Sequence, residues 1–381
     1  MACSLSQCGP SVLPANQSRT KRNMSTSFSQ IPIFDLARAE DAQTRSQSLL
    51  DLRRALVQVG FLYVRNHNVP SPIIERLVGA LPSLFALPDA AKDDVALINS
   101  PHFLGYSKFG SEQTAKRADQ REQFEFANEL PITFQAEDGD PLFMRLHGPN
   151  QWPAAYPDLR VIVESYIKEM TALAERFLRL VAQAFGLPAE TFLAFLSEQH
   201  RLKLVHYKPT TEYEGGGKSQ GVGPHKDSSG WMTFLLQASP PSVKGLQALN
   251  KAGQWIDIPA IPGTFVVNMG QAFEVVTNGV CKATTHRVLM SGPQDRYSVP
   301  FFQGVRKTLT KAEMDALWQH FEKVEEHGAE SEEGMQIDSA FLRGRYDTWG
   351  ESQLRTKIRS HQDVGRKHYA AVFDKYVNDD V

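Results

Sequence analysis

Gly223-Pro224-His225-Lys226-Asp227-Ser228-Ser229-Gly230-Trp231-Met232-Thr233-Phe234-Leu235-Leu236-Gln237 decides how this chain folds. A Gly/Pro-punctuated turn gives way to an unbroken β-prone run at 231–237, and a His-x-Asp pair sits between them. Working outward, the same texture continues on both sides. Short β-prone runs at 202–207, 231–237, 246–249, 255–258, 264–269, 275–276, 283–290 and 297–302 alternate with Gly/Pro turns. This spacing predicts a sandwich, barrel or jelly roll. In a strand, residues i and i+2 share a face. His225 and Asp227 are therefore expected to aim at one point from one strand end.

A third group belongs with them. His286, in Thr284-Thr285-His286-Arg287-Val288, falls on another run of the same β region. Two imidazoles and one carboxylate can hold one face of an octahedral metal and leave the opposite face open, which is the ligand set of non-haem Fe(II) oxygenases. A lone His-x-Asp triplet recurs by chance; its weight here comes from His286 and from Arg296-Tyr297-Ser298 downstream. Arg296 and Ser298 share a strand face, and a guanidinium fork beside a hydroxyl seats a carboxylate. A buried arginine near a metal needs an anionic partner, and a 2-oxo dicarboxylate suits it, one end on the metal and the other on Arg296. Lys226 is expected to face away, into solvent. His206, in Val205-His206-Tyr207, is expected to pack in the core, with Tyr207 on the other face.

Helices are expected on both sides of this core. Leu49, Leu52, Leu56 and Val59 recur at helical spacing and end at Gly60. Residues 73–87 and 159–185 read as helices, the second long and closed by Gly186-Leu187-Pro188. A short helix is expected at 189–196, and Thr310-Lys311-Ala312-Glu313 is a capping box opening further helices. The aromatic-rich stretch 99–155 reads as loops and short strands. The expected organisation is a disordered tail at 1–29, an N-terminal region at 30–155, backing helices at 156–200, the β core at 201–306 and a helical extension at 307–381. The fold class is thus α+β.

Composition narrows the remaining possibilities. The chain has 381 residues, and a net charge of −2 gives no electrostatic case for nucleic acid or anionic membrane. No apolar run is long enough to span a membrane. Three cysteines, two of them in the tail, do not form a disulfide framework. The tail is basic, Ser-rich and free of acidic residues, which is also how a mitochondrial transit peptide reads. A plain tail on a cytoplasmic protein is the expectation, and Met24 is a candidate second start. Oligomeric state is not legible.

The chain resembles the isopenicillin N synthase-like family of 2-oxoglutarate/Fe(II)-dependent oxygenases. The resemblance is carried by 31–36, by Gly60-Phe61-Leu62-Tyr63-Val64-Arg65-Asn66-His67-Asn68-Val69-Pro70, and by 225–237. It continues through Gly245-Leu246-Gln247, 255–268, His286-Arg287-Val288 and Arg296-Tyr297-Ser298. It implies a distorted double-stranded β-helix (jelly roll) backed by the long helix, with Fe(II) on His225, Asp227 and His286. It further implies 2-oxoglutarate as cosubstrate on Arg296 and Ser298, with Tyr207 as an added hydrogen-bond donor. Val205 stands where many members carry Asn, and Gln271 replaces a frequent Asp. The implied reaction uses O₂, oxidises a substrate C–H bond and converts 2-oxoglutarate to succinate and CO₂. Hydroxylation, desaturation or ring rearrangement fit that chemistry. Phe103, Tyr106 and Phe302 match positions that wall the substrate pocket in the family, so an apolar pocket for a small molecule is expected. No lysine or arginine cluster in the sequence suggests a phosphorylated substrate. The extension after Thr310 is similar to those of fungal biosynthetic members and suggests a specialised metabolite. The alternatives are an oxidase using O₂ without 2-oxoglutarate, a non-catalytic binding protein on the same fold, and a zinc hydrolase, in which Arg296-Tyr297-Ser298 would have no purpose.

Overall fold

The computed structural model describes residues 27–114, 117–209, 219–228, 230–290, 292–322, 341 and 346–379. Most of the basic tail, with Met24, and the acidic stretch 325–334 lie outside the described residues. Fourteen strands are formed: β1 Ile33–Asp35, β2 Phe61–Arg65, β3 Gly105–Ser107, β4 Gln113–Thr114, β5 Arg117–Ala118, β6 Glu122–Ala127, β7 Arg201–Tyr207, β8 Ser219–His225, β9 Gly230–Gln237, β10 Leu246–Leu249, β11 Trp255–Asp257, β12 Thr264–Met269, β13 His286–Met290 and β14 Arg296–Gly304. An eight-stranded sheet runs β1-β2-β12-β9-β14-β7-β6-β3, and a four-stranded sheet runs β11-β10-β13-β8.

Side-chain alternation explains why the two sheets face each other. Along the large sheet, Phe61, Tyr63, Val205, Tyr207 and Val266 point inward, where they pack with Val222, Leu246, Ala248 and Val288 of the small sheet. Their neighbours Leu62, Val64, Leu204, Phe234, Phe265, Val299 and Phe301 point outward into a second apolar layer. That layer is closed by the backing helix Leu159–Ala184, whose Val163, Ile167, Met170, Ala174, Phe177 and Val181 are buried on one stripe. Helices Arg45–Gln58 and Ser71–Phe85 pack against it, the first also touching β1 and β2.

Three local expectations fail. Residues 275–276 end a helix, Gln271–Val276, instead of forming a strand: Gly270 takes an extended conformation as N-cap, and the turn buries Ala272, Phe273, Val275 and Val276 against the core. The expected helix at 189–196 is reduced to the 3₁₀ turn Leu193–Phe195. Strand β8 extends upstream of the strand end expected at His225, through Gly221, Gly223 and Pro224, of which the Gly223-Pro224 pair reads as a turn. Gly223 is close-packed, and a Cβ there would lie 3.0 Å from the Thr114 methyl.

The C-terminal helices Trp349–Ser360, Gln362–His368 and Ala370–Val377 form a third cluster with Leu97, Phe103, Phe143 and Leu146. Beside it sit two histidines that burial holds neutral. His200 is pushed down to about 4 by burial and then by Lys307, and its Nδ1 accepts the Gly304 amide at 3.0 Å. His147 is pushed down to about 3 by the same two causes, with Arg201 and His102 adding to them. Both bind protons more weakly folded than unfolded, so stability is fully present above the unfolded histidine range near pH 6.5. It is lost as pH falls from there toward pH 4. At pH 5 the two together should cost a few kcal/mol, since each tenfold weakening of proton binding is worth about 1.4 kcal/mol. Melting temperature should therefore drop steeply between pH 7 and 5, and a flat profile would contradict this assignment.

Candidate metal centre and cosubstrate site

His225 and His286 are direct cross-strand partners on β8 and β13, next to a register shift. Their rings lie 4.2 Å apart, centroid to centroid. Each ring is oriented from behind. His225 Nδ1 donates to the Gly223 carbonyl at 2.9 Å, and His286 Nδ1 donates to the Thr284 carbonyl at 3.1 Å. A carbonyl only accepts, so both Nδ1 atoms carry the proton and both Nε2 lone pairs face inward. Asp227 lies just past the end of β8, not on it, and its Oδ1 is 3.6 Å from each Nε2. The three ligand atoms lie within 4.8 Å of one another, the one such group among the described residues.

The large sheet holds the carboxylate. Thr233 Oγ1 and Asn268 Nδ2 donate to Asp227 Oδ2 at 2.5 and 2.7 Å, and these two residues are cross-strand partners on β9 and β12. Oδ2 is thereby occupied, and Oδ1 is left for a metal. Gln271 N donates to the Asp227 carbonyl at 2.8 Å and fixes the loop from behind. A Cβ at Gly270 would come within 2.0 Å of the Gly230 carbonyl, so only glycine lets these segments close. Burial raises the Asp227 carboxyl, but His286, His225 and the Thr233 hydroxyl outweigh it and hold it well below the usual range. Burial, then His225, pushes His286 down to about 4. The donor set is thus a carboxylate and a neutral imidazole at neutral pH, joined by the free Nε2 of His225. This fits a divalent first-row metal.

Arg296 and Ser298 face the same cavity from β14. Arg296 is buried, with its Cζ 4.8 Å over the Tyr207 ring opposite it on β7. Its Nη2 reaches Gln237 Oε1 only at 3.5 Å, and its Nη1 finds no acceptor among the described residues. Burial lowers its proton affinity and the Tyr207 oxygen partly restores it. A buried, incompletely bonded guanidinium is what a cosubstrate carboxylate would satisfy. Gly245 keeps the approach open, since a Cβ there would lie 3.3 Å from Arg296 Nε.

The cavity joining these groups has a volume of about 380 Å³, within the range of small-molecule sites. Its far end is not apolar. The inward residues of β7 grade from Arg201 and Lys203 to Val205 and Tyr207, and Glu125 of β6 stands opposite Lys203. Phe302 lines this end, but Phe103 and Tyr106 do not. Phe103 is stacked on Tyr369 at 5.6 Å under the C-terminal helices, and the Tyr106 hydroxyl donates to Glu122 at 2.5 Å. The aromatics of this region serve packing, and charged side chains occupy the wall expected of them. Lys226 also departs from expectation: it lines the cavity and lies 3.3 Å from the buried Glu274. His206 packs as expected, stacked on Tyr297 and bonded to Glu122 and Asp295. Thr233, Asn268 and the charged wall escaped the sequence reading. The alternation in Glu122-Gln123-Phe124-Glu125-Phe126 was the available signal for a strand with one polar face.

Two facing sheets with an inward His/Asp/His set and a buried arginine define a mononuclear non-haem metal oxygenase on a double-stranded β-helix. Comparisons with known proteins agree. Residues 31–155 match the non-haem dioxygenase in morphine synthesis N-terminal model, and 198–305 match the 2OG-Fe(II) oxygenase superfamily model. The 2-oxoglutarate-dependent dioxygenase frbJ of Dothideomycetidae sp. (strain 11243) is 41% identical over 349 residues, covering 90% of this chain and 92% of the relative. A homoarginine-6-hydroxylase of Glycine max is 29% identical over 73% of this chain and 86% of its own length. A full-length Neurospora crassa structure in complex with alpha-KG and thymine superposes with a TM-score of 0.64 at 21% identity, over 90% of this chain and 97% of that one. The chain belongs to the 2OG-Fe(II) oxygenase superfamily. It is a 2-oxoglutarate- and Fe(II)-dependent dioxygenase. No described helix is long and apolar enough to cross a membrane.

Proposed function

We propose that this dioxygenase oxidises a C–H bond of a small polar molecule, with Fe(II) on His225 Nε2, Asp227 Oδ1 and His286 Nε2. Arg296 and Ser298 take the distal carboxylate of 2-oxoglutarate, and Tyr207 braces the guanidinium from β7. When bound, the iron supplies the oxidising chemistry, drawing on O₂ and on conversion of 2-oxoglutarate to succinate and CO₂. The protein's own residues bind and orient. Gly223 and Thr284 carbonyls fix the imidazole tautomers, and Thr233 and Asn268 hold the carboxylate in place. The observation that carries the cosubstrate role is the buried Arg296 Nη1 without an acceptor, facing the cavity that holds the triad. Relatives named homoarginine-6-hydroxylases and the charged far end of the cavity support a small polar substrate over an apolar one.

Anaerobic addition of Fe(II) and then 2-oxoglutarate should give a weak visible absorption band, and admitting air with substrate should release succinate. A protein that shows no band and binds no metal does not have this function. Turnover of O₂ without any need for 2-oxoglutarate would favour a cosubstrate-independent oxidase.

A further inference from the structure

The far end of the cavity carries a charge imbalance, and its meaning for the substrate rests on the oxygenase function proposed above. Three carboxylates, Glu112, Asp119 and Glu125, line it beside four cations, Arg121, Arg201, Lys203 and Lys357. The carboxylates are engaged by the protein. Glu112 accepts from Arg121 Nη2 and Gln123 Nε2 at 2.6 Å, and from His361 Nε2 at 2.9 Å. Asp119 accepts from Thr114 Oγ1 at 2.8 Å and the Gly223 amide at 3.2 Å. Glu125 Oε1 accepts from Arg201 Nη1 and Lys357 Nζ, both at 2.7 Å, while Oε2 accepts no hydrogen bond and has Lys203 Nζ 3.6 Å away.

The cations are engaged unequally. Arg201 is spent on Glu125 and the carbonyls of His102, Phe103 and Leu146. Arg121 is held by Glu112 and Asp119 through Nη2, while its buried Nε finds no acceptor among the described residues. Lys203 Nζ lies 3.6 Å from both Glu112 Oε1 and Glu125 Oε2, beyond hydrogen-bond range, and has no nearer acceptor among the described residues. Lys357 uses one of its three donors, on Glu125. Besides Arg121 Nε, the spare donors belong to two lysines next to Glu125, both mostly buried, with side chains 16% and 15% exposed. Burial first, then Arg201 and Lys203, outweigh Glu125 and pull Lys357 down to about 8, as expected of an ammonium short of negative charge.

An apolar substrate would cover these lysines without compensating them, which is costly. A phosphate dianion would exceed the single uncompensated charge. We infer that the substrate carries a carboxylate, separate from that of 2-oxoglutarate, which seats on the cavity side of Lys203 and Lys357 and takes their remaining donors while the carbon to be oxidised lies toward the triad. The helix Trp349–Ser360 makes Lys357 a specificity-determining residue. Gln353, one helical turn before Lys357, donates to the Ser228 carbonyl at 2.9 Å, adjacent to Asp227. The lysine is thereby held in register with the metal loop.

The test uses the full chain, anaerobic, with Fe(II) and saturating 2-oxoglutarate, so that Arg296 is already occupied. Isothermal titration compares matched free acids and primary amides: arginine with argininamide, hexanoate with hexanamide, and benzoate with benzamide. At least one acid should bind tenfold or more tightly than its amide. Lys357→Met should remove that preference by weakening the acid and not the amide, and Lys357→Arg should retain it. Lys203→Met reads the same quantity where Lys357→Met does not fold. A panel in which no acid outbinds its amide, or a preference that survives both methionine variants, overturns the inference. Failure of the wild-type protein to bind 2-oxoglutarate would instead remove the oxygenase function. Normal 2-oxoglutarate binding with acid and amide treated alike removes only the carboxylate.

Discussion

Asp227→Ala should purify without Fe(II) and release succinate at least about a thousandfold more slowly than the parent. Loss of a partner behind a metal ligand already costs about 10- to 100-fold, and Asp227 is itself one of the three ligand groups. The variant also strips the Thr233 hydroxyl and the Asn268 amide of their shared acceptor inside the protein. Each orphaned donor costs about 1–3 kcal/mol, so melting temperature should fall as well. Asp227→Asn separates the two effects. It keeps the volume of the side chain and an oxygen that can face Thr233, yet it cannot supply the anionic ligand. Metal content by elemental analysis, with succinate release, checks both variants. Iron-dependent turnover in Asp227→Ala would take this residue out of the ligand set.

Arg296→Leu should move the two properties of the protein in opposite directions. The half-saturating concentration of 2-oxoglutarate should rise by about a hundredfold or more, since truncating one side of a buried charged pair costs about 2–5 kcal/mol. The protein without ligands should hold or gain melting temperature. Its guanidinium is buried with one nitrogen lacking an acceptor, and replacing such a charge with an apolar group is often neutral or stabilising. Stabilisation of the wild type by added 2-oxoglutarate should be absent in the variant. Thermal shift with and without 2-oxoglutarate reads both halves. An unchanged 2-oxoglutarate requirement would place the cosubstrate elsewhere.

The contrast between these residues and the substrate wall shows what a sequence can disclose. His225, Asp227, Arg296 and Ser298 lie two apart on or beside single strands, so a local period brings each pair to one face. The backing helix and the Thr310 capping box were legible for the same reason, being set by neighbours within a turn or two. The charged wall has no such local signature. Glu125 meets Arg201, Lys203 and Lys357 across β6, β7 and the C-terminal helix, and nothing in the spacing of these residues announces that they share a space. Aromatic density around Phe103 and Tyr106 was the louder signal, but it reported packing. The upstream part of strand β8, before His225, was illegible for a related cause. Its glycines and proline look like turn residues, while close approach of Thr114 and Tyr207 is what demands small side chains there.

The helix Trp349–Ser360 reaches the loop beside Asp227 and the buried Glu125, yet it lies beyond residue 305, where the matched oxygenase segment stops. The wall of the cavity is thus built jointly, by residues of the matched segments and by Lys357 from outside them. Two relatives aligned only over their catalytic segment can score as near twins and still accept unlike molecules. An exchange of tails between such relatives would alter the wall around Lys357 and, through Gln353, the support of the loop beside Asp227.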